Sequence, residues 1–81
     1  MSLYPNPSQG QLHIDYSAAA AGSATIAVMD LSGQVLRLEA KELEEGKNSI
    51  AMDLSDLSAG LYLLQVTTAE TKVVRRFVVA H

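Results

Sequence analysis

The chain has no cysteine and no tryptophan, and its 81 residues include only two prolines, one phenylalanine and three tyrosines. Without cysteine no disulfide can staple the fold, and thiol usage gives no indication of the redox compartment. The scarcity of aromatics argues against sugar binding, because small carbohydrate-binding sandwiches present exposed ring platforms. Tyr16, Tyr62 and Phe77 fall in apolar strand patterns, which leaves only Tyr4 for such a role. No apolar run approaches the roughly 18 residues that a membrane helix needs. A net charge of −3, with no clustered basic face, argues against nucleic acid. No signal peptide is recognisable; Met1-Ser2 reads as a start left by expression, and the chain as a piece excised from something longer.

What is present is a foldable balance of 48% apolar and 19% charged residues, in a chain long enough for one domain spanning 1–81. A chain of this size buries only about 60–65% of its unfolded surface, so modest stability is expected. The stretch that organises the rest is 53–66, Asp-Leu-Ser-Asp-Leu-Ser-Ala-Gly-Leu-Tyr-Leu-Leu-Gln-Val. Its first half is a polar loop interrupted by Leu54 and Leu57, both too apolar for water and expected to plug one end of a core. Its second half, 61–66, is nearly all apolar and too short for a helix, and reads as a central strand buried on most of both faces. Gly60 is expected to let the backbone turn sharply into that strand. Tyr62, close behind it, is placed like the tyrosine of a tyrosine corner, whose hydroxyl ties back to upstream backbone.

Other strands follow from alternation. Residues 11–16 put Leu12, Ile14 and Tyr16 on one face and Gln11, His13 and Asp15 on the other. Residues 24–31 place Ile26 and Val28 inward and Thr25 and Ala27 outward. The turn 30–34 carries Gly33, free to take positive φ, and leads into a hairpin strand at 35–40, where Leu36 and Leu38 share a face opposite Val35, Arg37 and Glu39. Residues 48–53 alternate again, with Ile50 and Met52 inward. The last strand, 71–79, sets Val73, Arg75, Phe77 and Val79 against Lys72, Val74, Arg76 and Val78. Residues 17–23 and 42–47 read as loops. A further short strand at 3–4 precedes the rigid lead-in of Pro5, Asn6 and Pro7, whose turn ends at Gly10. Six to seven short strands with no helical periodicity predict an all-β fold, a small immunoglobulin-like antiparallel β-sandwich.

Chemistry-bearing groups do not converge in this pattern. His13 reads as an exposed strand histidine and His81 is the last residue. Asp53 and Asp56 lack the alternating oxygen ligands and distal glutamate of a calcium loop, and read as turn-stabilising. Glu42, Glu44 and Glu45 read as a solvated acidic loop. No catalytic, metal or cofactor residues are assigned, and an enzyme is the least favoured class.

The ordered landmarks are Tyr-Pro-Asn-Pro-x-x-Gly at 4–10, Val-Met-Asp-Leu-Ser-Gly-Gln-Val at 28–35, Gly46-x-Asn48, the 53–66 stretch, and a basic β-rich tail at 72–79. Together they resemble the C-terminal sorting domain of type IX secretion cargo, also called the Por secretion system C-terminal sorting domain. That resemblance implies a domain that folds in the periplasm of a Gram-negative bacterium as an immunoglobulin-like sandwich, behind an N-terminal cargo. The outer-membrane translocon recognises such domains, and a sortase-like peptidase removes them at the cell surface. By position, Pro5, Asn6, Pro7 and Gly10 match the leading motif, Gly33 the middle turn, Gly60 and Tyr62 the strand start, and Arg75 and Arg76 the basic residues of the last strand. Structural roles compete for each: a rigid lead-in for 5–10, architecture for the glycines and the tyrosine, gatekeeping against edge-to-edge pairing for the arginines. Arg75 shares a face with Phe77, which points to snorkelling. The alternative reading is a structural or adhesive fibronectin-like spacer of a surface protein. In either case an exposed last strand also allows a weak homodimer through its edge.

Overall fold

The computed structural model describes residues 1–5 and 9–80. Asn6 and Pro7 of the leading motif, and His81, lie outside the described residues. Seven strands form: β1 (Ser2–Tyr4), β2 (Gln11–Ala18), β3 (Gly22–Met29), β4 (Val35–Leu43), β5 (Gly46–Asp53), β6 (Gly60–Thr67) and β7 (Lys72–Val79). They pair antiparallel in two sheets, of order β1-β2-β5 and β4-β3-β6-β7. The expected small antiparallel sandwich is therefore the fold, with the fourth strand attached to the second sheet, whereas constant-type immunoglobulin domains carry it on the first.

The core follows directly from alternation. Leu12 and Ile14 of β2, Met52 of β5, Ile26 and Val28 of β3, Leu64 and Val66 of β6, and Phe77 and Val79 of β7 are all essentially inaccessible. Each contributes about 1.5–3 kcal/mol relative to exposure. Leu54 joins them from the β5–β6 loop, fully buried, with Leu57 half-buried beside it, so the expected plug forms. The loops are shorter than expected. Residues 17–18 and 22–23 continue the strands that flank the alanines. Only Glu44 and Glu45 separate β4 from β5, which lie in different sheets. Asn48 makes that tight crossing possible. Its amide Nδ2 donates to the carbonyls of Glu44 (2.9 Å) and Gly46 (3.1 Å), and its Oδ1 accepts from the Glu44 amide at 2.9 Å.

Three expectations are corrected. The β6 strand is central but buried on one face only: Tyr62, Leu64 and Val66 face the core, while Leu61 is exposed and Leu63 half-buried on the other side. The reason is that nothing among the described residues packs on the outer face of the four-stranded sheet. In β4, Leu36 and Leu38 do not act together. A bulge between the Val28–Arg37 and Met29–Val35 pairs inserts Leu36, which packs against the core, whereas Leu38 pairs with Ala27 on the outer face and is 65% exposed. Arg37, Glu39 and Lys41 consequently lie on the core side of the sheet, opposite Val28, Ile26 and Ala24, at the open rim of the sandwich. Finally, Gly60 does not need a left-handed backbone. Positive φ occurs at Gly10 (119°), Gly33 (92°) and Gly46 (95°), and a Cβ on Gly60 would meet only the Tyr62 ring at an ordinary 3.9 Å. Ala27, expected outward, is on the outer face yet buried between its partners Leu38 and Gln65.

Candidate functional site

The registers bring most of the landmark motifs to one pole of the sandwich. Gln11 pairs with Asp53, Gly60 with Val79, and Met29 with both Val35 and Leu63. The start of β2, the β3–β4 turn, the plug loop, the start of β6 and the end of β7 therefore share that pole. Gly46 and Asn48 sit at the opposite one, with the 68–71 turn.

At the shared pole each matched residue has an architectural task. Gly10 is buried, and its carbonyl accepts a hydrogen bond from the Leu54 amide at 2.5 Å. A Cβ there would press to 3.3 Å against the Cα and Cβ of Ser55. Close approach as well as positive φ thus demands glycine, a requirement that spacing alone did not reveal. Gly33 takes its positive φ in a turn organised by Asp30. The Asp30 carboxylate accepts from the Ser32 hydroxyl (2.6 Å), the Ser32 amide (2.9 Å) and the Gln34 amide (3.0 Å). Those bonds, the Ser32 hydroxyl foremost, hold the Asp30 carboxyl below its ordinary range. Asp53 is lowered in the same way, chiefly by the Ser55 side chain and then by its amide at 3.0 Å. Asp53 stabilises its turn, as expected, and Asp30 does the same for the β3–β4 turn. Tyr62 forms the tyrosine corner: its hydroxyl donates to the Ser58 carbonyl at 2.6 Å, and its ring stacks on Phe77 with centroids 5.9 Å apart. Arg37 of β4 reaches the plug loop in an ion pair with Asp56.

Tyr4, followed directly by Pro5, closes β1. Its ring stacks on His13 at 5.3 Å and its hydroxyl donates to Asp15 at 3.3 Å, so His13 lies on the solvent face of β2 under that ring. Among the described residues no three of His, Asp and Glu gather into a metal-holding group.

Arg75 and Arg76 are placed differently from the rest. They lie in mid-strand on β7, paired with Leu64 and Leu63, and both are exposed. Arg75 belongs to the core-facing side, but its stem carries the guanidinium out to water, where Nη1 donates to the Val74 carbonyl at 3.1 Å. Among the described residues neither arginine has an ion pair. Among the described residues the β7 strand pairs only with β6, in an unbroken eight-residue register, and it is the end strand of its sheet. The opposite edge, β4, is bulged and carries half-buried Arg37, Glu39 and Lys41 on its core side, with Lys41 and Glu39 3.4 Å apart. These are devices that discourage strand addition. Edge strand β1 has only three residues. Edge strand β5 is regular, but turns small Ser49 and Ala51 outward between Lys47 and Asp53.

In this sandwich the matched glycines, turns and tyrosine are occupied in holding the fold, while Arg75 and Arg76 stand exposed on an end strand. The sequence matches the secretion system C-terminal sorting domain over residues 2–80, and the chain belongs to that family. It is the non-catalytic export signal of a type IX cargo, read by the type IX secretion machinery and directing its cargo across the outer membrane to the cell surface or beyond. This sets aside the spacer reading. No curated protein matches the chain.

Proposed function

We propose that the outer-membrane translocon takes hold of this domain along β7, adding a strand of its own beside residues 72–77 of that edge. Main-chain hydrogen bonds then give affinity, while Arg75 and Arg76 supply charge recognition on the two sides of the added strand. The observation that carries this reading is the contrast between the two ends of the four-stranded sheet: a guarded, bulged β4 and a regular, cationic β7. The domain folds in the periplasm before it is engaged, and a sortase-like peptidase separates it from the N-terminal cargo at the cell surface. Of the matched residues, Gly10, Gly33, Gly60 and Tyr62 serve recognition only by shaping the pole that carries β7's end. A β7 edge that suits a translocon strand also suits a second copy, so a weak homodimer competes for it.

The test is export of a reporter fused ahead of residue 1 in a type IX-competent cell. Arg75→Ala together with Arg76→Ala should lower the exported fraction while leaving the circular dichroism spectrum and melting temperature at parent values. Undiminished export would refute engagement through β7. Truncation after residue 76 is not a substitute, because Phe77 and Val79 are 1% exposed core residues and their loss would unfold the sandwich.

A further inference from the structure

The four-stranded sheet has a second face, and its composition is unusual for one turned to water. Register sets its rows: Leu38, Ala27, Gln65 and Val74 lie side by side across the four strands, then Met29, Leu63 and Arg76, then Leu61 and Val78. A solvated antiparallel face ordinarily carries polar residues. The outer face of the three-stranded sheet does so, with Asp15 beside Ser49 and His13 beside Ala51. On the four-stranded sheet, by contrast, Leu38 is 65%, Val74 40%, Leu61 39% and Val78 38% exposed. Its charges are segregated as well. The β6–β7 half of this face bears Lys72 and Arg76 and no acid, in a chain of net charge −3.

We infer that this face is a second docking surface, occupied by a protein of the secretion machinery that presents an apolar ridge bordered by carboxylates. The inference rests on the reading that the machinery grips β7, and it extends the contact from that edge across the sheet to β4. Charge complementarity selects the carboxylates, and the exposed apolar residues Leu38, Leu61, Val74 and Val78 select the ridge. Area argues against a second copy of this chain as the occupant. Three strand spacings of about 4.8 Å by a similar length along the strands give on the order of 200–300 Å², far below the roughly 800 Å² per partner of a stable dimer. A partner that also adds a strand to β7 gains the missing area. Two copies laid face to face with β7 across β7 would instead set Arg76 against Arg76.

Leu38 separates this inference from the edge reading, because it lies on the same face but three strands, about 14 Å, from β7. In the reporter export assay, Leu38→Gln should lower the exported fraction about fivefold, the scale of one truncated interface side chain. Val74→Thr should act in the same direction, and Ala51→Thr, on the outer face of the other sheet, should have no effect. Parent-like melting must accompany each variant. If Leu38→Gln and Val74→Thr export like the parent while the double arginine variant fails, the docking face is refuted and the edge reading stands. If all of them export like the parent, both are refuted. Two measurements on the isolated protein test the occupant. Self-association in sedimentation that Leu38→Gln abolishes would assign the face to a second copy. Flotation with phosphatidylglycerol vesicles that Val74→Thr and Leu38→Gln abolish would assign it to lipid. Either result overturns the protein partner.

Discussion

The carbonyl oxygen of Gly10 accepts the amide hydrogen of Leu54 at 2.5 Å, joining the end of the leading motif to the start of the plug loop. Two landmark segments far apart in the chain are thus one structural unit. The bond lets Leu54 leave β5, turn inward and close the pole beneath the core. Because Ser55 packs directly over Gly10, an added Cβ at 3.3 Å would have to push Ser55 back.

Gly10→Ala should therefore destabilise the domain by about 2 kcal/mol, from the left-handed backbone together with the crowding. In a domain of this size that is roughly a 10 °C fall in melting temperature. Gly33→Ala meets the same kind of backbone penalty with nothing within 4 Å of the added Cβ, so its effect should be clearly smaller. Equal melting shifts for the two variants would show that Ser55 does not press on Gly10.

Tyr62→Phe removes the hydroxyl that ties β6 to the Ser58 carbonyl and leaves the ring on Phe77. The expected cost is about 1 kcal/mol, the net worth of one such hydrogen bond. Chemical denaturation should show a lower midpoint with an unchanged slope. A midpoint equal to the parent's would mean that the corner contributes nothing to stability.

Leu54→Ala empties the plug at a fully buried position and should cost about 2–5 kcal/mol. Leu57→Ala, at the half-buried neighbour, should cost less. Leu57→Asp should still be strongly destabilising, since its carboxylate would be turned toward the apolar core edge. Thermal melting of the three variants side by side checks the order, and a Leu57→Asp protein melting like the parent would show that this side chain faces water.

Acid should weaken the fold through Asp30 and Asp53. Both carboxyls lie below their ordinary value of 3.8 in the folded chain, so the folded state holds fewer protons than the unfolded one as pH approaches that value. Their contribution is complete above about pH 4 and is lost as pH falls below 3.8 through the folded values. Replacing both by Asn keeps an acceptor in each turn but removes the titration. The melting temperature of Asp30→Asn with Asp53→Asn should fall less steeply with acid than the parent's. Parallel curves would show that these turns play no part in acid sensitivity.

Much of this was legible in the chain. Strict alternation in 11–16 and 48–53 named the inward residues correctly, because the strand period of two is local and one buried face imposes it. The place of Tyr62 just after Gly60 announced the corner, since its geometry involves only neighbouring residues. Three features escaped. The bulge at Leu36 depends on pairing with β3 and sent Leu36 and Leu38, expected on one face, to opposite sides. The outer face of β6 read as buried because apolar residues look alike whether they face a core or an unfilled surface. Gly10's closest neighbour, Ser55, lies in another motif.

By itself the sequence determined the strands, their turns and the apolar seam between two layers, all of which arise from side-chain periodicity and backbone propensity within a few residues. Which strands lie at the edges was decided only by the tertiary structure. So was the guarding of β4, the regular register of β7, and an apolar face left toward solvent. These depend on pairing between distant segments, and a strand carries no local mark of what will hydrogen-bond to its far side.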